Sequence, residues 1–251
     1  MLKKIIFFLL LATNSYAQTW KLVWSDEFDK NGLPDSTKWN NETSIPRNNE
    51  LQYYTNQRPE NCNVQNGQLL IIAREENIKG AKYTSARLST DGKFNFKYGR
   101  IEARIKLPVG KGIWPAFWML GQKIKEVGSP KCGEIDIVEH VNNEKNIHSA
   151  MHWDQNGLVS LEATKDCDMQ QFHLYSVEWD KSKIQWFLDG KKFHEGKISK
   201  SKDNTDEFQS PFYIILNQAI GGSWPGNPDK TTLFPDTMKV DYVRVYQKFR
   251  K

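Results

Sequence analysis

The sequence predicts an all-β protein, a sandwich or barrel in one domain. Three observations carry that expectation. Helical periodicity is weak everywhere after residue 18. Short alternating apolar–polar runs recur instead, with turn dipeptides between them. No linker, repeat or low-complexity stretch divides residues 18–251, and the polar Ser199–Asn204 loop is too short to separate domains.

The runs, in chain order, are Gln68 to Arg74, Lys82 to Ser89, Tyr98 to Leu107, Glu134 to His140 and Ile147 to Trp153. Phe172 to Trp179, Ile184 to Leu188, Phe212 to Asn217 and Val240 to Gln247 complete them. Asn66-Gly67, Asp91-Gly92 and Gly221-Gly222 mark turns. Asp189-Gly190, between IQWFL and KKFHE, is a type I′ hairpin signal, since both central residues of that turn need positive φ. Many short strands at this spacing close into a sandwich or barrel.

Residues 1–17 stand apart from the fold. Lys3 and Lys4 precede the apolar run Ile5 to Ala12, and Ser15-Tyr16-Ala17 is a small-x-small cleavage site. This is the pattern of a secretory signal peptide, too short to span a bilayer. The mature chain is then Gln18 to Lys251, exported to the periplasm or beyond. An oxidising compartment permits one disulfide among Cys62, Cys132 and Cys167, and the sequence does not choose the pair.

Composition narrows the partners. A net charge of +5 from 35 basic and 30 acidic residues, with no Lys/Arg cluster, argues against nucleic acid or an anionic membrane. Nine Trp, nine Tyr and thirteen Phe suit, beyond the core, a surface that stacks flat, weakly charged ligands. No Ser/His/Asp constellation, Gly-rich phosphate loop or cysteine pair at zinc spacing is present.

The chemistry is concentrated in Gly133-Glu134-Ile135-Asp136-Ile137-Val138-Glu139-His140. On a regular strand Glu134 and Asp136 share a face and Glu139 points away. One β-bulge between Asp136 and Glu139 brings all three to one side. At ~3.3 Å per residue the outer acids then start roughly 13 Å apart at the backbone. They must lean together to reach the ~5–5.5 Å separation of retaining glycoside hydrolysis. Ile135, Ile137 and Val138 mark the opposite face as buried, unlike a solvated edge strand.

GEIDIVEH resembles the signature of glycoside hydrolase family 16 in its bulged E-x-D-x-x-E form. WSDEF, NNELQYYT, GRIEARIKLPVGKGIWPAFWMLG, VEWD, GGSWPG and VDYVRVYQ extend the likeness to its laminarinase branch over nearly the whole mature chain. The resemblance implies a β-jelly-roll sandwich of two antiparallel sheets with a concave substrate cleft. It implies retaining hydrolysis of internal β-1,3-glucosidic bonds, without a cofactor. Glu134 matches the nucleophile, Asp136 its assisting acid and Glu139 the general acid/base. Ser129 stands where similar laminarinases often have Trp, and Gln218 where an apolar residue is common.

Aromatic and polar residues supply the candidates for the cleft. Trp114 and Trp118, four apart, share a strand face with Ala116 but not Phe117, and a sugar's C–H groups pack on an indole face. Trp224 in GGSWPG is the third aromatic. Asn49, Tyr53, Arg87 and Gln218 are polar candidates for sugar hydroxyls. His152 in SAMHWD is expected near the acids, to bond Glu139 or a sugar. Trp20, Trp39, Trp179 and Trp186 read as packing. The resemblance also implies a structural Ca²⁺ on Glu27, the Gly67 backbone and Asp241; the alternative there is strand pairing without metal. The expected partner is a β-glucan, bound by a monomer. Two alternatives stay open: a mixed-linkage glucanase or marine galactan hydrolase, and a non-catalytic glucan-binding module.

Overall fold

A computed structural model describes residues 19–43, 47–199 and 205–249. The expected leader, residues 1–17, and most of the Ser199–Asn204 loop lie outside the described residues.

The described chain folds almost wholly into strands. They are β1 (Thr19–Asp26), β2 (Asn40–Asn41), β3 (Gln52–Tyr54), β4 (Cys62–Gln65), β5 (Gln68–Ile78), β6 (Ala81–Ser85), β7 (Arg87–Ser89) and β8 (Gly99–Lys106). Then come β9 (Ile113–Gly121), β10 (Glu134–Glu139), β11 (Asn146–Asp154), β12 (Leu158–Asp166), β13 (His173–Trp179), β14 (Lys183–Leu188), β15 (Lys191–Lys197), β16 (Phe212–Ile220) and β17 (Asp236–Phe249).

Two sheets form. One runs β15-β14-β13-β8-β17-β5-β6-β3, with β1 also on β17 and β4 also on β5. The other runs β12-β11-β10-β9-β16-β7-β2. The pairings are antiparallel except β3 with β6, a local departure from the expected all-antiparallel sheets. Ile71, Ile101, Ile105 and Val240 from the first sheet meet Phe117, Met119, Ile135, Val138 and Leu216 from the second in one hydrophobic core. The jelly-roll sandwich is therefore the fold. Asp189 and Gly190 have φ of 50° and 74°, the type I′ geometry, and join β14 to β15.

Strands β1 to β4, β9 and β12 fall outside the expected runs. β9 shows why: seven of its nine residues are buried, so covered faces erase the alternation. β1 fails differently. It is a largely exposed strand whose register shifts between Leu22 and Trp24. The three cysteines are free. Cys62 and Cys132 are buried, in different core clusters, and Cys167 sits beside the Tyr175 hydroxyl. The single disulfide that the sequence allows is not formed.

Candidate active site

The site is built on β10, an interior strand of the seven-stranded sheet, between β11 and β9. Gly133 leads in at φ 77°, where a Cβ would sit 2.9 Å from Glu207 Cβ and Phe212 Cζ. Asp136 pairs with Trp118 on β9 and Ala150 on β11, while Glu139 pairs with Ala116 and His148. Three steps on β10 thus face two on each neighbour. This is the single bulge expected between Asp136 and Glu139, and it brings both glutamates and Asp136 to the cleft side.

A bulge leaves ladder carbonyls unpaired, and here side chains answer them. Trp186 Nε1, from the opposite sheet, donates to Asp136 O at 2.8 Å. Ser149 Oγ donates to Ile137 O at 2.8 Å. Trp186 is core, as expected, but it also holds the bulge. Replacing it with Phe keeps most of the packing and orphans the Asp136 carbonyl. The expected loss is about 1–3 kcal/mol. Urea unfolding checks it, and an unchanged midpoint would mean that the carbonyl finds another donor.

The cleft above β10 has a volume of about 440 Å³. Trp114, Ala116 and Trp118 line it, whereas Phe117 is fully buried in the core, as the strand period requires. Trp114 Nε1 donates to Glu139 Oε1 at 2.9 Å. Trp118 Nε1 donates to Asn217 Oδ1 at 2.7 Å, and the Arg87 guanidinium lies 4.8 Å from the centre of the Trp118 ring. Arg87 Nε is fixed by Glu42 at 2.8 Å. Trp224 is 43% exposed and packs edge-on to Trp114 at 5.4 Å and to His148 at 4.8 Å.

Other expected contacts move. His152 faces Asp136, not Glu139: its Nε2 lies 2.9 Å from Asp136 Oδ2, because β11 sets His152 opposite Glu134. Tyr53 does not line the cleft; its neighbour Tyr54 does. Gln218 is fully buried and accepts the Met238 N–H, so Asn217 takes the cleft position. Asn217 Nδ2 donates onward to Tyr54 Oη at 3.1 Å. Asn49 is exposed and donates to Ser223 Oγ at 2.9 Å, tying its loop to the loop of Trp224 rather than reaching the cleft. Ser129, which stands where a Trp was expected, lines the cleft.

The calcium expectation does not fit these side chains. Arg244 donates to both Glu27 oxygens at 2.9 and 2.7 Å, and Arg104 donates to Asp241 Oδ2 at 2.8 Å. Each carboxylate that would hold the ion is already neutralised by a guanidinium. β1 and β17 pair beside them.

Burial dominates the electrostatics of the acids. It pushes Glu134 up to about 8, with the Asp136 charge adding and His152, Arg87 and Arg47 opposing. Asp136 also rises to about 8, by burial and then by Glu162. Glu139 is pushed well above the carboxylate range by burial and by Asp136 and Glu134, against the Trp114 hydrogen bond. Glu139 is thus held toward its protonated form, the property a general acid needs.

Glu134 also ties stability to pH. Its pKa is raised in the folded state from an ordinary 4.5 to about 8. Its contribution is complete below pH 4.5 and is lost as pH rises through 8. Glu134→Gln does not titrate there. The variant should therefore melt above the wild type, by a margin that widens between pH 5 and 8 to roughly 2–8 °C. Thermal melts across that range test it; a constant or negative margin contradicts it.

Comparison with known proteins agrees with this geometry. The profile of glycosyl hydrolases family 16 matches residues 49–244. The chain belongs to that family. It is 42% identical over 241 residues to the clotting factor G alpha subunit of Tachypleus tridentatus, covering 93% of this chain and 35% of that protein. It is 40% identical over 252 residues to a beta-glucanase of Rhodothermus marinus, covering 92% of this chain and 86% of the relative. The X-ray structure of the laminarinase from Rhodothermus marinus superposes with a TM-score of 0.86 at 40% identity, over 93% of this chain and 99% of that one. The chain thus spans about a third of one relative and most of the other. As a member of family 16 it is a glycoside hydrolase, and chemistry of this class needs no cofactor.

Proposed function

We propose that this protein is a secreted, retaining endo-β-1,3-glucanase that cuts internal bonds of laminarin-like glucans. The observation that carries the reading is the bulged strand, which turns Glu134, Asp136 and Glu139 to one cleft with Glu139 anchored by Trp114. The relatives named as beta-glucanase and laminarinase support the polymer. The Lys3-Lys4 and Ile5–Ala12 pattern supports export.

In this mechanism Glu134 attacks the anomeric carbon and forms a covalent glycosyl intermediate. Glu139 protonates the departing glucosyl oxygen, then takes a proton from the water that releases the sugar. Asp136, buried between them and facing His152, moderates the charge on Glu134. Trp114 and Trp118 offer indole faces to sugar rings, while Arg87, Asn217 and Tyr54 form the polar wall.

A panel of laminarin, lichenan and agarose tests substrate and turnover together. Reducing ends should appear fastest from laminarin. Cleavage of agarose alone would give the site to a galactan, and binding without product would make the chain a binding module.

A further inference from the structure

Three metal-ligating atoms converge in the cleft, two of them on acids that the hydrolytic mechanism uses. An oxygen of Glu134, an oxygen of Asp136 and a ring nitrogen of His152 lie within 4.8 Å of one another. Asp136 is 2% exposed, and its Oδ2 has no donor in hydrogen-bonding alignment. His152 Nε2 is only 2.9 Å from that oxygen, yet the pair is not aligned as a hydrogen bond. Both atoms therefore line the same space as an ion-pair contact that lacks hydrogen-bond alignment. On the far side of the ring, His152 Nδ1 is hydrogen-bonded with Ser160 Oγ at 2.6 Å. That contact fixes the imidazole from behind and leaves Nε2 for a ligand, the arrangement typical of metal-binding histidines.

We propose that Glu134, Asp136 and His152 form a reversible site for a borderline divalent cation, with Zn²⁺ as the type ion, and that its occupation inhibits the enzyme. The donors choose the class. One imidazole and two carboxylates with an open fourth position suit Zn²⁺. Ca²⁺ and Mg²⁺ demand six or more oxygen ligands, which these three groups do not supply. Zinc bonds of ~2.0–2.2 Å bring ligand atoms to roughly 3.4 Å from one another. The His152–Asp136 pair, at 2.9 Å, is within that spacing, and all three atoms lie within 4.8 Å of one another. The ion also offsets the repulsion between two buried carboxylates. It displaces their protons as it binds, so affinity rises with pH. Binding stands on this geometry alone; inhibition rests on Glu134 being the nucleophile whose oxygen the ion occupies.

The experiment adds zinc chloride to the whole protein in chelator-free buffer and reads melting temperature and laminarin turnover separately. Zinc should raise Tm by several degrees, and at ten times its Kd should lower turnover about tenfold, both reversed by EDTA. Calcium and magnesium at equal concentration should do neither. Asp136→Asn and His152→Ala should lose the Tm rise; if either fails to fold, Glu134→Gln answers the same question. His148→Ala and His173→Ala should keep it, although each removes a histidine that lies 2.7 Å from a carboxylate. No zinc shift in the wild type, or a shift that survives the cleft variants, overturns the site. A shift with full activity supports the site and overturns the inhibition together with the nucleophile assignment.

Discussion

Glu134→Ala should lower laminarin turnover by roughly 10⁴–10⁶-fold, as expected when the covalent nucleophile is removed. The fold should survive, because Glu134 lines the cleft and Ile135, Ile137 and Val138 carry the core side of β10. The alanine leaves a space beside the anomeric carbon, and azide should fill it. Added azide should restore turnover of an activated aryl glycoside and yield a glycosyl azide of inverted configuration. Inversion follows because the anion attacks once, from the nucleophile's side, with no second displacement. A Glu134→Ala enzyme of near-normal activity removes the assignment altogether. An inactive variant that azide does not revive would mean that Glu134 serves some other purpose in the cleft.

The second large effect separates Glu139 from Glu134. Glu139→Ala should slow natural glucan far more than an activated aryl glycoside, whose leaving group needs little protonation. General acid assistance is worth ~10²–10⁴-fold, so the gap between the two substrates should be of that order. The pH profile of the wild type should be bell-shaped. Its acid limb belongs chiefly to Glu134, which must lose a proton to attack. Its basic limb belongs to Glu139, pushed well above the carboxylate range by burial and by Asp136 and Glu134. Asp136 titrates with them, so both limbs are properties of the cluster. Glu139→Ala should flatten the basic limb. Equal losses on both substrates, or an intact basic limb, would reverse or end the order of roles along GEIDIVE.

The features legible in the sequence share one physical source: a face that differs from its opposite. Between Glu134 and Glu139 the acids and the β-branched residues alternate with one slip, so the spacing alone specifies a bulge, and the register shift falls there. Trp114 and Trp118 share the cleft side with Ala116 by the strand period alone, although burial on both faces of β9 hides its alternation. Where both faces are covered the signal vanishes. Every residue of β16 is buried, so nothing in FYIILNQAI tells Asn217 from Gln218, and the cleft contact is off by one. The same slip at Tyr53 and Tyr54 arises on a three-residue strand, too short to show a period. The donors to the bulge are invisible for another reason. Trp186 reaches Asp136 O from the other sheet, 50 residues along the chain, and only the packing of the sandwich brings them together.

The anomeric configuration of the first sugar released tests the central claim most directly. Proton NMR of laminarin during the first minutes of digestion, before mutarotation, resolves α from β reducing ends. Double displacement through Glu134 and Glu139 predicts that the β signal appears first and the α signal follows only as the sugar equilibrates. An α signal that appears first would mean single displacement by water, and would contradict the roles given to these two glutamates.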